Sequence, residues 1–465
     1  MNKTKIICSI GPSSSDPITL EKMITAGMDV ARFNMSHGTH DSHKALIENV
    51  KIARNKAHSA VAIMIDTKGP EIRVKQFEKG QITLSDGDKF TLTTKEILGN
   101  QDQVSVTYKR LPKILKKGAK ILLNDGNIEL KVIKTTSTEI VCEVIHGGVL
   151  SNNKSINLPG IKTEMQYLSD SDKSDLLFAK EMNADYLAIS FVSTAEDVKE
   201  VRNYLKEIDF KDVKIISKIE NQEGVENFTK ILKVSDGIMV ARGDLGVEID
   251  FEKIPILQKD FIKKCNDAGK ISITATQMLE TMITSPRPTR AEISDVANSI
   301  FDGSTAIMLS GETASGIDPE NVVKTMQRIA NETEIYAKSN AKPLETHNTS
   351  KSLGYAVYAL SKTKNVKAIV VVTKSGETAE NISRFRPDVP IIACTPSEKT
   401  FNRMSLLYDV LPILDKTYTE MEDLIESAIS KALGTGLVSK DDKIVLVRGE
   451  KVGKSGSDLM SIKKI

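Results

Sequence analysis

Two short stretches, IISKIE at 215–220 and IMVARGD at 238–244, each run from apolar residues straight into charge. Lys218 and Glu220 close the first, Arg242 and Asp244 the second. Brought to one place, the two carboxylates would repel. A hard divalent cation between them removes the conflict, and Mg²⁺ characteristically takes one or two protein carboxylates together with phosphate oxygens. Lys218 is then available for an anionic ligand, and the chemistry suggested is phosphate binding and transfer. The plain alternative is a pair of structural salt bridges.

The elements around these residues must bring them together. Both apolar runs are too short for a helix and read as strands buried on both faces. The segment between them, NQEGVENFTKILKVS, fits one helix. Strand, helix, strand is a right-handed crossover, so both sets of charges fall on the same edge of a parallel sheet. Lys218, Glu220, Arg242 and Asp244 are therefore expected to converge there.

The same rhythm runs through the chain. KIICSI, DVARFN and AIMID precede these strands, DYLAIS joins them after an interruption, and ISITAT and TAIMLS follow. Eight such runs predict a (β/α)₈ barrel, whose active site lies at the carboxyl ends of the strands. Those ends read Arg32 and Asn34, Asp66, Lys218 and Glu220, Arg242 and Asp244, Thr276, then Ser310 and Glu312. A purely structural rim has no reason to be polar at nearly every strand end.

The interruption, residues 69–165, holds VSVTY, KILLNDG, IELKVIKT and EIVCEVIHGGVL with turn signals between them, which predicts an inserted all-β lid domain of β-barrel type. Its hinges are TKGPEIR and NLPGIKTEM, and it would hang over the strand ends and exclude water. The barrel then comprises 1–68 and 166–340. After a composition shift at SNAKPLETHNTS, residues 341–465 read as a C-terminal open α/β regulatory domain with KAIVVVT, PIIACT, DVLPIL and DKIVLVRG as strands and helices at 350–363, 376–386 and 418–435. TKSGETA at 373–379 opens a helix after a strand, so it reads either as a phosphate cradle or as an ordinary capped helix.

Composition narrows the function class. A chain of 465 residues suggests roughly two to four domains. A net charge of +2 gives no sequence-wide case for nucleic acid or an anionic membrane. Cys8, Cys142, Cys265 and Cys394 form no CxxC pair and are expected reduced and mostly buried. The N-terminus lacks a signal peptide and no run is long enough for a membrane span, so a cytoplasmic protein is the expectation.

TKIICSIGPSS, ARFNMSHGTH, DTKGPEIR, NLPG, IISKIENQEG, MVARGDLGVE, ATQMLETM and IMLSGETASG, in this order, resemble the motifs of the pyruvate kinase family, and the resemblance covers essentially the whole chain. It implies transfer of the phosphoryl group of phosphoenolpyruvate to ADP, giving pyruvate and ATP. It also implies Mg²⁺ (or Mn²⁺) on Glu220 and Asp244, and K⁺ on Asn34, Ser36, Asp66 and Thr67. Lys218 would lie beside the transferring phosphoryl group and Arg32 on a phosphate, with Gly243, Asp244 and Thr276 on the substrate carboxylate. Asn34, His37, Arg73 and Asp125 fall where the family binds nucleotide. A water held by Thr276, Ser310 and Glu312 would protonate the enolate.

Glu71 matches members that require K⁺, whereas K⁺-independent ones tend to carry Lys there. An allosteric phosphorylated metabolite is expected on Thr373, Lys374, Ser375, Gly376 and Thr378, with Lys451 or Lys454 adding charge, and a homotetramer is usual. Three places depart from the family pattern: Ser171 in LSDSD, where a lysine often contacts nucleotide, Asn124 in the lid's NDG, and RGEKVGKSGSDLM in place of a Gly-rich loop. The extra C-terminal domain of some bacterial members is not expected, since the sequence stops at Ile465. Two rivals remain at this stage: an aldolase-like lyase with Lys218 as Schiff base, and a catalytically dead metabolite sensor.

Overall fold

The computed structural model describes residues 2–337, 348–450 and 459–465. Eight short strands, almost every residue of which is buried, form a closed parallel barrel: β1 (Lys5–Ser9), β2 (Val30–Asn34), β3 (Ala62–Asp66), β4 (Tyr186–Ile189), β5 (Lys214–Ile219), β6 (Gly237–Ala241), β7 (Ile271–Ala275) and β8 (Ala306–Leu309). Each strand pairs with the next in sequence, and β8 closes onto β1 with Cys8 opposite Leu309. The register sets Asn34 beside Asp66, and Asp66 beside Ala188, so polar strand ends share one level of the rim.

Ile7, Val30, Met64, Tyr186, Met239 and Met308 belong to the cluster filling the barrel, and Leu406 from the C-terminal part is buried among them. The surrounding helices begin where the sequence supplies caps: Asp16 before Pro17–Thr25, and reciprocal capping boxes at Thr39, Ser169, Thr194 and Thr289. The single helix expected between β5 and β6 is two, Gln222–Glu226 and Phe228–Val234. They break at Asn227, whose side chain donates to Ser193 O at 3.0 Å and ties the junction to the loop after β4.

Between β3 and β4, strands Ile72–Arg73, Ser155–Asn157, Lys120–Leu123, Ile128–Thr135, Glu139–His146, Lys89–Thr93 and Gln103–Ser105 form one seven-stranded sheet in that order, and Gln81–Leu84 pairs with Gly148–Ser151 in a separate ribbon. Alternation such as that of Glu139–His146 buries one face against Phe90, Leu92, Ile121 and Leu130. The stem turns at Gly69, with φ +70°, where a Cβ would lie 2.8 Å from Ser190 O, so only glycine fits. Its N–H donates to Asp172 Oδ1 at 2.9 Å.

The C-terminal sheet contains β9 (Val366–Val372), β10 (Ile391–Thr395), β11 (Val410–Leu414), β12 (Lys443–Arg448) and β13 (Leu459–Lys464), ordered β11-β10-β9-β12-β13. β13 runs antiparallel to β12 and was not expected, because SIKK at an exposed edge carries no buried-strand signal. A short helix, Glu398–Arg403, also went unpredicted. Most of the expected linker, and Lys451 and Lys454, lie outside the described residues. All four cysteines are free and buried, and no helix among the described residues is long and apolar enough to cross a membrane.

Candidate active site

At the carboxyl end of the barrel, Lys218 is buried and its Nζ lies 2.9 Å from Glu220 Oε1, 3.2 Å from Asp66 Oδ1 and 2.7 Å from Ser190 Oγ. Asp66, fully buried, also accepts from Arg32 Nε at 2.6 Å, and Arg32 Nη1 donates to Ser9 Oγ at 2.6 Å. Neighbouring parts of the rim thus deliver one alternating chain of charge: Arg32 from β2, Asp66 from β3, Lys218 from β5 and Glu220 just beyond it.

The environment fixes the charge states. Burial alone would push the Asp66 carboxyl up, but the Lys218 ammonium and the Arg32 guanidinium outweigh it and hold it below the usual carboxylate range. Burial likewise opposes the Lys218 charge, and Asp66, Glu220 and Asp244 reverse that, holding its ammonium above the ordinary lysine value. Glu220 is pushed up, by burial first and by the Asp244 charge second, against the pull of Lys218 and the Phe191 N–H, which donates to Oε2 at 2.6 Å.

Asp244 stands in the first turn of the helix Arg242–Glu248. Gly243 N–H donates to Thr276 Oγ1 at 2.8 Å, and Thr276 Oγ1 donates to Ala275 O at 2.6 Å. Thr276 and Gln277 both hold positive φ, 67° and 53°, a strained state for a β-branched residue such as Thr276.

Arg242 corrects the expectation that it joins Lys218. It turns away from that cluster, pairs with Asp295 at 2.7 Å and donates to Thr276 O and Gln277 O at 2.7 and 3.3 Å. The reason is geometric: Ala241 ends β6, so Arg242 is the first helical residue, whereas Lys218 is still within β5. Arg242 braces the strained turn instead.

Glu312, expected to help hold a water, also ties two loops together. It is buried, and its two oxygens accept from Leu279 N and Ser310 N at 3.1 and 2.6 Å, which ties together the loops after β7 and β8. Ser310 Oγ is buried with no partner. Of the expected trio, Ser310 is the one whose hydroxyl makes no hydrogen bond at all.

Around the rim, Asn34 Oδ1 accepts from Ser36 N at 3.1 Å, and Thr67, buried, donates its N–H to Ala188 O at 2.9 Å. The His37 imidazole is held below its ordinary value by burial and by Arg73 and Arg32. Glu71 lies on the hinge and accepts from Arg73 Nε at 2.8 Å; burial raises its carboxyl against that pull. In the lid, Asp125 accepts from Ser155 Oγ at 2.7 Å in a turn where Asn124, Asp125 and Gly126 all have positive φ.

The TKSGETA loop lies away from this cluster, on the C-terminal sheet, and folds as a tight turn. Thr373 Oγ1 accepts from Gly376 N at 3.0 Å, Lys374 O from Thr400 Oγ1 at 2.9 Å and Ser375 O from Arg403 Nη2 at 2.7 Å, with Thr378 buried beneath. Ser9 and Ser190, which complete the contacts of Arg32 and Lys218, were missed. Both stand at or just past the end of a barrel strand, so the strand-end rule extended to β1 and β4 finds them.

Among the described residues no group of three or more His, Cys, Asp or Glu could hold a metal ion by itself. The pair Glu220 and Asp244 nevertheless suits a hard divalent cation, since each carries only oxygen donors and their charges oppose each other without one.

Comparison with known proteins agrees with this geometry. The family model "Pyruvate kinase, barrel domain" matches residues 1–323, and "Pyruvate kinase, alpha/beta domain" matches residues 351–463. The chain is 44% identical over 467 residues to the pyruvate kinase of Staphylococcus haemolyticus (strain JCSC1435), covering 99% of this chain and 80% of the relative. The same figures hold for that of Staphylococcus aureus (strain USA300). A crystal structure of a pyruvate kinase from Cryptosporidium parvum superposes with a TM-score of 0.92 at 39% identity, over 100% of this chain and 96% of that one. Barrel, rim charges and both family models agree: the chain belongs to the pyruvate kinase family and is a phosphotransferase.

Proposed function

We propose that this chain transfers the phosphoryl group of phosphoenolpyruvate to ADP at the Arg32–Asp66–Lys218–Glu220 cluster, and that one observation carries the residue assignment: a buried lysine held protonated between two carboxylates. Phosphoryl transfer asks for positioning and charge neutralisation more than for covalent help. Arg32 and Lys218 bind the phosphoryl oxygens. The Gly243 and Asp244 amides and Thr276 hold the substrate carboxylate, and the lid's Arg73 and Asp125, with Asn34 and His37, bind the nucleotide.

Glu220 and Asp244 hold Mg²⁺ or Mn²⁺, while Asn34, Ser36, Asp66 and Thr67 hold K⁺. When bound, these cations supply positive charge that balances the phosphates. Ser310 Oγ, buried and unpartnered, supports a water held by Thr276, Ser310 and Glu312 as the route for enolate protonation.

The lyase reading fails on the same observation, because a Schiff-base lysine must lose its proton and Asp66, Glu220 and Asp244 all oppose that. A dead sensor would have lost one of Arg32, Lys218, Glu220 or Asp244, and all four are present. Cytoplasmic location, a homotetramer, and a phosphorylated effector on Thr373, Lys374, Ser375, Gly376 and Thr378 complete the proposal.

The test is a coupled assay for pyruvate with and without ADP, Mg²⁺ and K⁺, repeated with a panel of sugar phosphates. Pyruvate formation dependent on ADP and both cations is expected. Its absence under all conditions sinks the function. Saturation curves unmoved by every phosphorylated metabolite, or by Ser375→Asp, sink the effector site alone.

A further inference from the structure

The helix that presents Asp244 is only seven residues long, Arg242–Glu248, and has no side-chain N-cap. Such a helix is held by its neighbours, since isolated helices below about 12–15 residues are marginal. Arg242 fixes its first turn to the barrel, through Asp295 and Thr276 O. Its last turn is fixed to the lid. Glu248 Oε1 accepts from Asn157 Nδ2 at 2.9 Å, and the Leu158 N–H also reaches the Glu248 carboxylate. Asp244 and Glu248 are four residues apart, so they share one face of the helix.

Asn157 ends the lid strand Ser155–Asn157, which pairs with Ile72–Arg73 on one side and Lys120–Leu123 on the other. Ser155 in that strand grips Asp125 twice, accepting from its N–H at 3.0 Å and donating to Oδ1 at 2.7 Å. Gly126, next to Asp125, also faces Val247: a Cβ there would lie 3.5 Å from Val247 Cγ1. The lid therefore meets the helix at its stem and at its tip loop. Burial raises the Glu248 carboxyl, and the Asn157 amide is the main group that offsets it.

We infer that Glu248 is a positioning residue whose hydrogen bond to Asn157 links the lid strand carrying Asp125's anchor to the helix carrying Asp244, so that lid position and cation-ligand placement are set together. The inference rests on the reading of Asp244 as a cation ligand. It makes divalent-cation affinity depend on a residue of the lid that touches neither cation nor substrate.

The experiment is an exchange of donor and acceptor in the full-length enzyme. Asn157→Asp sets carboxylate against carboxylate with almost no change of volume. It is expected to weaken Mn²⁺ binding, read from free Mn²⁺ by EPR, about tenfold, the scale of one lost hydrogen bond to a charged group, and to raise the KM for ADP in proportion. Adding Glu248→Gln restores a donor facing the introduced carboxylate, while the Gln carbonyl still accepts from the Leu158 N–H. Mn²⁺ affinity and KM in the double variant should return to within about twofold of wild type.

Unchanged Mn²⁺ affinity in Asn157→Asp, or no recovery in the double variant, overturns the inference. Asp244→Asn separates the two claims. If it abolishes Mn²⁺ binding while Asn157→Asp leaves it intact, the linkage alone fails; if Asp244→Asn binds Mn²⁺ normally, the cation-ligand reading fails first.

Discussion

Replacing Lys218 with methionine keeps an unbranched side chain, one atom shorter, and deletes the charge. Three contacts go with it: Glu220 at 2.9 Å, Asp66 at 3.2 Å and Ser190 Oγ at 2.7 Å. Asp66 retains Arg32 at 2.6 Å, so the uncompensated charge falls mainly on Glu220. Breaking a buried ion pair costs about 3–5 kcal/mol. Glu220 is already pushed toward its neutral form by burial and Asp244, and protonation there holds the loss near the lower end, about 3 kcal/mol.

The effect on rate is larger than the effect on binding. A fixed donor aimed at developing charge is worth about 10²–10³ in kcat, and Lys218→Met should lose at least that. The KM for phosphoenolpyruvate should move less, because Arg32 remains. The assay is pyruvate production coupled to NADH oxidation by lactate dehydrogenase, beside a thermal melt. Lys218 has its folded pKa raised, so its contribution to stability is fully present below the unfolded lysine value of about 10.4 and is lost as pH rises through the folded one. In the variant Glu220 loses the charge that pulled it down and is pushed up further, so it ionises at a greater cost and the difference in Tm should widen as pH rises toward about 9. A kcat within about threefold of wild type would remove Lys218 from the mechanism.

Glu220→Gln or Asp244→Asn should abolish turnover and Mn²⁺ binding with the melt little lowered; near-normal activity at ordinary Mg²⁺ refutes the ligand assignment. Asp66→Asn should destabilise the protein at neutral pH, since a carboxyl with a depressed folded pKa contributes stability above its unfolded value, about 3.9, that is lost as pH falls through the folded one. Equal Tm differences at pH 7 and at about pH 2.5 would contradict that sign. Activity should depend strongly on K⁺, with Na⁺ a poor substitute and Glu71→Lys partly relieving the requirement at some cost in kcat; full activity in tetramethylammonium buffer without K⁺ would refute it. Because Arg73 already answers Glu71, Glu71→Lys also strips Arg73 of its carboxylate, leaving it the Asn153 carbonyl at 2.7 Å, and the KM for ADP should shift in the same variant.

The barrel was legible because each strand is short, apolar and punctuated, and because its polar end is local information: Asp66, Lys218 and Glu220 end or follow runs that can only be buried strands. Caps such as Asp16-Pro17 were legible for the same reason, since cap and capped amide lie within three residues. What sequence could not carry was the direction of a side chain at a strand-to-helix junction. Lys218 and Arg242 look equivalent in sequence, yet one points into the rim cluster and the other braces Thr276, because one belongs to a strand and the other to the helix after it.

Asp66 as the bridge between Arg32 and Lys218 needed the closed register of the barrel strands. The carboxylate of Glu312 was spent on amides of its own and the preceding loop, which only the folded loops reveal. The edge strand β13 escaped for a further reason: an exposed antiparallel edge buries too little to mark its sequence. Residue type and spacing thus determined which groups reach the rim. Tertiary packing decided which of them face one another, since that depends on how strands far apart in sequence are set side by side.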